Sequence, residues 1–179
     1  MGITATRRRR QTAQSIVEFA IATPVLLLLL LGAFNTAVMI SDKVIAGSAC
    51  RQGARLAAEI GGQITNPLLN TAQVDANIIK NVLAVATAMN YSTLSQIVIY
   101  KPSNLNGDYT AGDPADIFNG SGTQISGTGF PLSARIQTPP DETSIGVRID
   151  WAYVPPTGFQ SFNINLNEHA VMKASPVLV

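Results

Sequence analysis

One cysteine, one histidine and eleven carboxylate side chains are what this 179-residue sequence offers for proton transfer or metal binding. Cys50 stands alone, which rules out an intrachain disulfide, a CxxC redox pair and a cysteine-based metal cluster. His169 also stands alone, so a multi-histidine metal site is ruled out. Asp150 and His169 could form an acid–base pair, but no serine or cysteine sits in a nucleophile-type motif to complete it. Asp108, Asp113 and Asp116 lie in a stretch rich in Gly, Asn, Ser and Thr, the kind of flexible carboxylate loop that calcium favours. Their spacing fits no EF-hand, and aspartate is equally at home in turns. Gly47-Ser48-Ala49-Cys50 has the outline of a lipoprotein processing box, with Gly where a large aliphatic residue belongs. A small helix-packing residue is the plainer role for Cys50.

Glu18 is the carboxylate with no ordinary explanation. It is the only ionisable residue between Ile16 and Ile40, a run of 25 residues that includes the six leucines Leu26 to Leu31. As a helix the run would extend about 37 Å at ~1.5 Å per residue. A hydrocarbon core is about 30 Å thick, and the apolar core of a signal peptide runs only about 7–15 residues, so the segment is read as a membrane span. A carboxylate at the centre of such a helix costs on the order of 2.5–3.5 kcal/mol, and less near its ends. Near the start of the helix, a new α-amino group at Gln14 would compensate it. A helix N-terminus also favours an anion. The plainer alternative is a helix-boundary residue in the headgroup region.

Charge sets the orientation. Arg7 to Arg10 precede the span, while Lys43, Arg51 and Arg55 follow it. Positive residues stay cytoplasmic, so the N-terminus is expected inside and the chain from about residue 44 outside. Four of the 12 basic side chains lie in the leader, leaving eight against 11 acids beyond it, a net of −3. That balance leaves no nucleic-acid footprint on the exported part.

The elements that position these residues follow from periodicity. Residues 1–13 read as a basic, disordered leader, residues 14–40 as the membrane helix and residues 41–62 as its aqueous continuation, stopped by Gly61 and Gly62. Pro24 lies inside the span, where membrane helices tolerate it. Ala49, Gly53, Ala57 and Gly61 are spaced four apart, with Ala46, Cys50, Ala54 and Ala58 in a second row beside them. Such a face lets another backbone approach closely. It could pack on the chain's own domain or on neighbouring subunits. Residues 63–179 read as a small exported α+β domain. They comprise a linker at 63–72, an amphipathic helix over 73–90, a strand over 96–101 and a loop over 103–133. Two further strands, over 143–154 and 162–173, form a hairpin. The fold class expected is α+β, a small antiparallel sheet laid on a long helical spine.

Ser15-Ile16-Val17-Glu18-Phe19-Ala20, then Pro24 followed by leucines, then Ala49-Cys50-Arg51-Gln52-Gly53-Ala54-Arg55, resemble the TadE-like group of type IV pilin-like proteins. These are minor pilins or pseudopilins of the tight-adherence (Tad/Flp) pilus and secretion machinery. Val147 to Pro155 also resembles that family's late hydrophobic strand and proline turn. The resemblance implies cleavage by a prepilin peptidase between Ala13 and Gln14, which makes Glu18 the fifth residue of the processed chain and Phe19 the sixth. Ala13 stands where the family's usual residue is Gly. It further implies a structural subunit with no cofactor and no small-molecule substrate, placed in the bacterial cytoplasmic membrane or in a surface pilus. Its expected partners are other pilin or pseudopilin subunits and the pilus assembly platform. A permanently anchored exported binding domain is the alternative, and an anchored enzyme a third reading.

Overall fold

The computed structural model describes the backbone of residues 3–62, 70–126, 129–158 and 163–174, and side chains in those ranges from residue 14 onward. The linker residues Asn66 and Pro67 and the side chains of Arg7 to Arg10 lie outside the described residues. Two compact units are present, Met1–Val38 and Met39–Val179.

Helix α1 covers Ile3–Ile60 and continues through Pro24. Its first turns include residues 3–13, which the charge-rich sequence suggested would be disordered. Arginine, alanine and glutamine are good helix formers, and extending an existing helix needs no new nucleus. Within the first unit α1 makes no core. Phe19, Ile21, Leu26 to Leu30 and Phe34 are all more than half exposed. The second unit holds the last part of α1 and everything after it.

Helix α2 spans Thr71–Ala86. Asn70 caps it in a capping box, accepting from the Gln73 backbone while the Gln73 side chain accepts from the Asn70 N–H. Val74, Ile78, Ile79, Val82 and Ala86 form its buried stripe. The helix stops at 86, short of the expected 90, because the 90–92 backbone is bonded elsewhere. Met89 is therefore buried in the turn rather than on the helix face.

Four strands form one antiparallel sheet in the order β2-β1-β3-β4. They are β1 Ser92–Tyr100, β2 Ala115–Asn119, β3 Ser144–Tyr153 and β4 Ile164–Lys173. The central strands are dense in β-branched and aromatic residues, as pleated half-buried surfaces favour. Ile97 to Tyr100 of β1 and Ile145, Val147, Ile149, Trp151 and Tyr153 of β3 are all buried. Gly146 lies under the Tyr100 ring, where a Cβ would collide with it. The hairpin over β3 and β4 is found where the alternation placed it. Strand β2 and a 3-10 turn at Leu132–Ala134 are departures, since residues 103–133 read as loop. The inward residues of β2 are Asp116 and Phe118, and an inward aspartate hides the alternation that would have marked a strand.

Candidate functional site

Glu18 lies on the exposed apolar part of α1. Its Oε1 accepts a 3.0 Å hydrogen bond from Gln14 Nε2, one turn earlier. Among the described residues no ion pair reaches it. Glu18, Phe19, Ala22, Val25 and Leu29 line an open apolar groove along the same helix. The Ala13 side chain lies outside the described residues.

Beyond the span the helix changes character. Asp42, the first charged residue after Ile40, is only 2% exposed. Its carboxylate accepts from the N–H groups of Asn90 and Tyr91 at 3.3 and 3.2 Å and from the Ser92 hydroxyl at 2.6 Å. The turn from α2 into β1 is thus fastened to α1. Lys43 Nζ lies 3.5 Å from Glu168 Oε1 of β4.

The two small-residue rows come next, and both are buried within the second unit. Ala46, Ala49, Cys50, Ala54 and Ala57 are fully buried, as nearly is Ala58. A Cβ on Gly53 would collide with Val82 of α2 and crowd Val147 of β3. Gly61 closes the helix, donating to Ala57 O at 2.8 Å. Within the second unit this face is buried, and at Gly53 it lies against the chain's own α2 and β3. Cys50 Sγ donates to Glu168 O at 3.1 Å, and burial pushes the thiol up to about 12. A buried, protonated thiol has neither the exposure nor the thiolate that lipid attachment requires.

The three loop aspartates are not brought together. A hydrogen bond from Ser103, helped by those from the Thr110 backbone and hydroxyl, holds the Asp113 carboxyl below the usual range. Asp108 lies 3.5 Å from His169. Asp116 is fully buried. Among the described residues no group of three or more His, Cys, Asp or Glu is placed to hold a metal ion. The Asp150–His169 pairing is also corrected. In the register Asp150 faces Asn167 and His169 faces Arg148, and Asp150 is taken by the Arg148 guanidinium at 2.7 Å.

Asp116 instead belongs to a buried cluster that the sequence did not signal. Arg135, fully buried, grips Asp75 of α2 with two hydrogen bonds of 2.7 and 3.1 Å. Its Nη2 also reaches Asp116 of β2 at 3.1 Å, and Nε and Nη2 donate to Phe130 O. The guanidinium stacks 4.7 Å from the Phe130 ring centroid. Asp116 Oδ1 in turn accepts from the N–H groups of Gly129 and Phe130. Two carboxylates share one guanidinium, and burial, offset by Arg135, raises the Asp75 carboxyl to about 6. The partners lie 60 and 19 residues from Arg135, too far apart to be found by local spacing. The cluster joins α2, β2 and the 129–135 segment and is structural.

Residues 13–55 match the family model described as TadE-like protein. That segment is similar to TadE-like proteins. No curated protein and no solved structure matches the chain. The TadE-like match begins at the Ala13–Gln14 junction, runs through the exposed span and ends at Arg55 within the buried rows. The family is a structural, pilus-associated one. The matching helix is the described one that is long and apolar enough to cross a membrane, which supports single-pass anchoring.

Proposed function

We propose that this chain is a pseudopilin or minor pilin of a tight-adherence pilus or secretion apparatus. Its parts are a cytoplasmic leader (1–13), a membrane anchor (14–40), a helical continuation (41–62) and an exported domain (63–179). The observation that carries the reading is the division of labour along one TadE-like helix. Its second part is spent on the chain's own core, while its first part, with Glu18 and the apolar groove, is left uncovered. A prepilin peptidase would cut before Gln14, and the new α-amino group would lie four residues from Glu18. The apolar part of the helix then anchors the subunit until extraction and packs against neighbouring pilin subunits in the assembly. The N-terminus is inside and the domain outside, by the arginine run at 7–10.

N-terminal sequencing and intact mass of protein co-expressed with its cognate peptidase test this. A chain beginning at Gln14 is expected. Retention of Arg7 to Arg10 in membrane-inserted protein would point instead to a permanently anchored binding domain.

A further inference from the structure

In the second unit the described large apolar side chains that remain exposed are Ile40, Val44, Tyr91, Leu105, Ile125, Ile136 and Val154. Tyr91 and Val154 lie together, at the level of α1 where Ile40 and Val44 occur on its other face. Ile40 and Val44 lie one turn apart on α1, on either side of Asp42. Tyr91 is bonded through its N–H to Asp42, and Val154 N–H donates to Tyr91 O at 2.8 Å. The Tyr91 side chain is 42% exposed and that of Val154 45%. Lys43, whose side chain is 60% exposed while its Nζ lies 3.5 Å from Glu168 Oε1, is on the same turn of α1.

We propose that Tyr91 and Val154, with Lys43, form a lipid-contacting collar that rests in the headgroup region of the bilayer crossed by the chain's own helix. This rests on the reading of residues 16–40 as a membrane span. Asp42 follows Ile40, the last residue of the uninterrupted apolar run, by two residues, or about 3 Å along a helix. Its carboxylate is the acceptor for the Tyr91 amide, so the collar is pinned to the level at which the helix leaves hydrocarbon. Tyrosine is the side-chain type that settles at this boundary, with its ring toward the acyl chains and its hydroxyl in water. Lysine reaches outward from a helix end toward anionic headgroups. The pairs Ser92–Tyr153 and Tyr153–Ile164 mark the collar end, and Tyr100–Gly146 and Gly146–Val171 the opposite end. The two ends are about 25 Å apart at ~3.3 Å per residue. Leu105, fully exposed, belongs to the loop that follows Tyr100.

The test uses the full chain in phosphatidylethanolamine–phosphatidylglycerol vesicles. Single cysteines replace Tyr91, Val154, Leu105 or Leu29, and each is labelled with a nitrobenzoxadiazole fluorophore. Cys50 is buried with its thiol pushed to about 12 and does not compete for label. Quenching is read with lipids spin-labelled at a shallow or a deep acyl position, and with aqueous iodide. Labels at 91 and 154 should lose several-fold more emission to the shallow spin label than the label at 105, which should be the most sensitive to iodide. If 91 and 154 behave like 105 while 29 is quenched by the deep label, the collar is overturned and the span stands. If 29 escapes the deep label, the span reading fails and the collar fails with it.

Discussion

Gly53 is where Val82 of α2 and Val147 of β3 press on the backbone of α1. A larger side chain there has no space, so Gly53→Leu should cost about 1–3 kcal/mol by overpacking. A lowered melting temperature of the detergent-solubilised full chain checks it, and an unchanged one would show that the contact is loose. Asp75 gives a pH signature of the opposite sense to most carboxylates. Unfolded, it ionises near 3.8; folded, burial raises it to about 6. The folded state therefore holds the extra proton between these values, and stability falls as pH rises through that window. Asp75→Asn removes the titration, so that part of the stability–pH curve should flatten in a melting series from pH 4 to 7. The roles of these residues differ in how readable they were. The four-residue spacing of Gly53 announced a close-packed face, though its partner could be named only once α2 and β3 were in place. Nothing in the surroundings of Arg135 announced two aspartates from distant elements, because a buried ion cluster leaves no period in the sequence.

Among the elements, the joint between α1 and the α2–β1 turn rests on one carboxylate. Asp42→Ala leaves the N–H groups of Asn90 and Tyr91 without their acceptor, at about 1–3 kcal/mol for the partly buried site. Hydrogen exchange should quicken at Asn90 and Tyr91 while the β3 amides keep their protection. Uniform exchange across both would mean that the turn has other support. The same joint explains where reading the elements from sequence succeeded and failed. β3 and β4 were legible because a sheet with one covered face writes alternation into its strands. β1 was found only in part, because its first half alternates weakly and its last four residues are buried on both faces. α2 was drawn too long because apolar spacing continues to Met89, while the helix end is set by Asp42, some 48 residues earlier. β2 was missed because Asp116 occupies an inward position that Arg135 and the N–H groups of Gly129 and Phe130 make acceptable.

The whole molecule divides its apolar surface between two uses. From residue 46 onward the faces of α1 that are small are buried, while from Ile16 to Leu30 its large side chains stay uncovered. Glu18→Ala should therefore leave folding of the second unit and membrane insertion intact, since a carboxylate is removed from an apolar helix. It should lower incorporation into pili or recovery with partner pilins. Normal assembly of the alanine variant would remove Glu18 from the proposed role. The buried rows carry a mechanical consequence as well. A pull on α1 reaches the domain at Asp42 and then along helix turns seated against α2 and β3. β3 lies inside the sheet between β1 and β4. Load enters as sliding of a helix across a sheet, spread over many close contacts, and does not peel an edge strand. Drawn from residue 14 in an optical trap, the second unit should yield in one step, and Gly53→Leu should lower the force at which it does so.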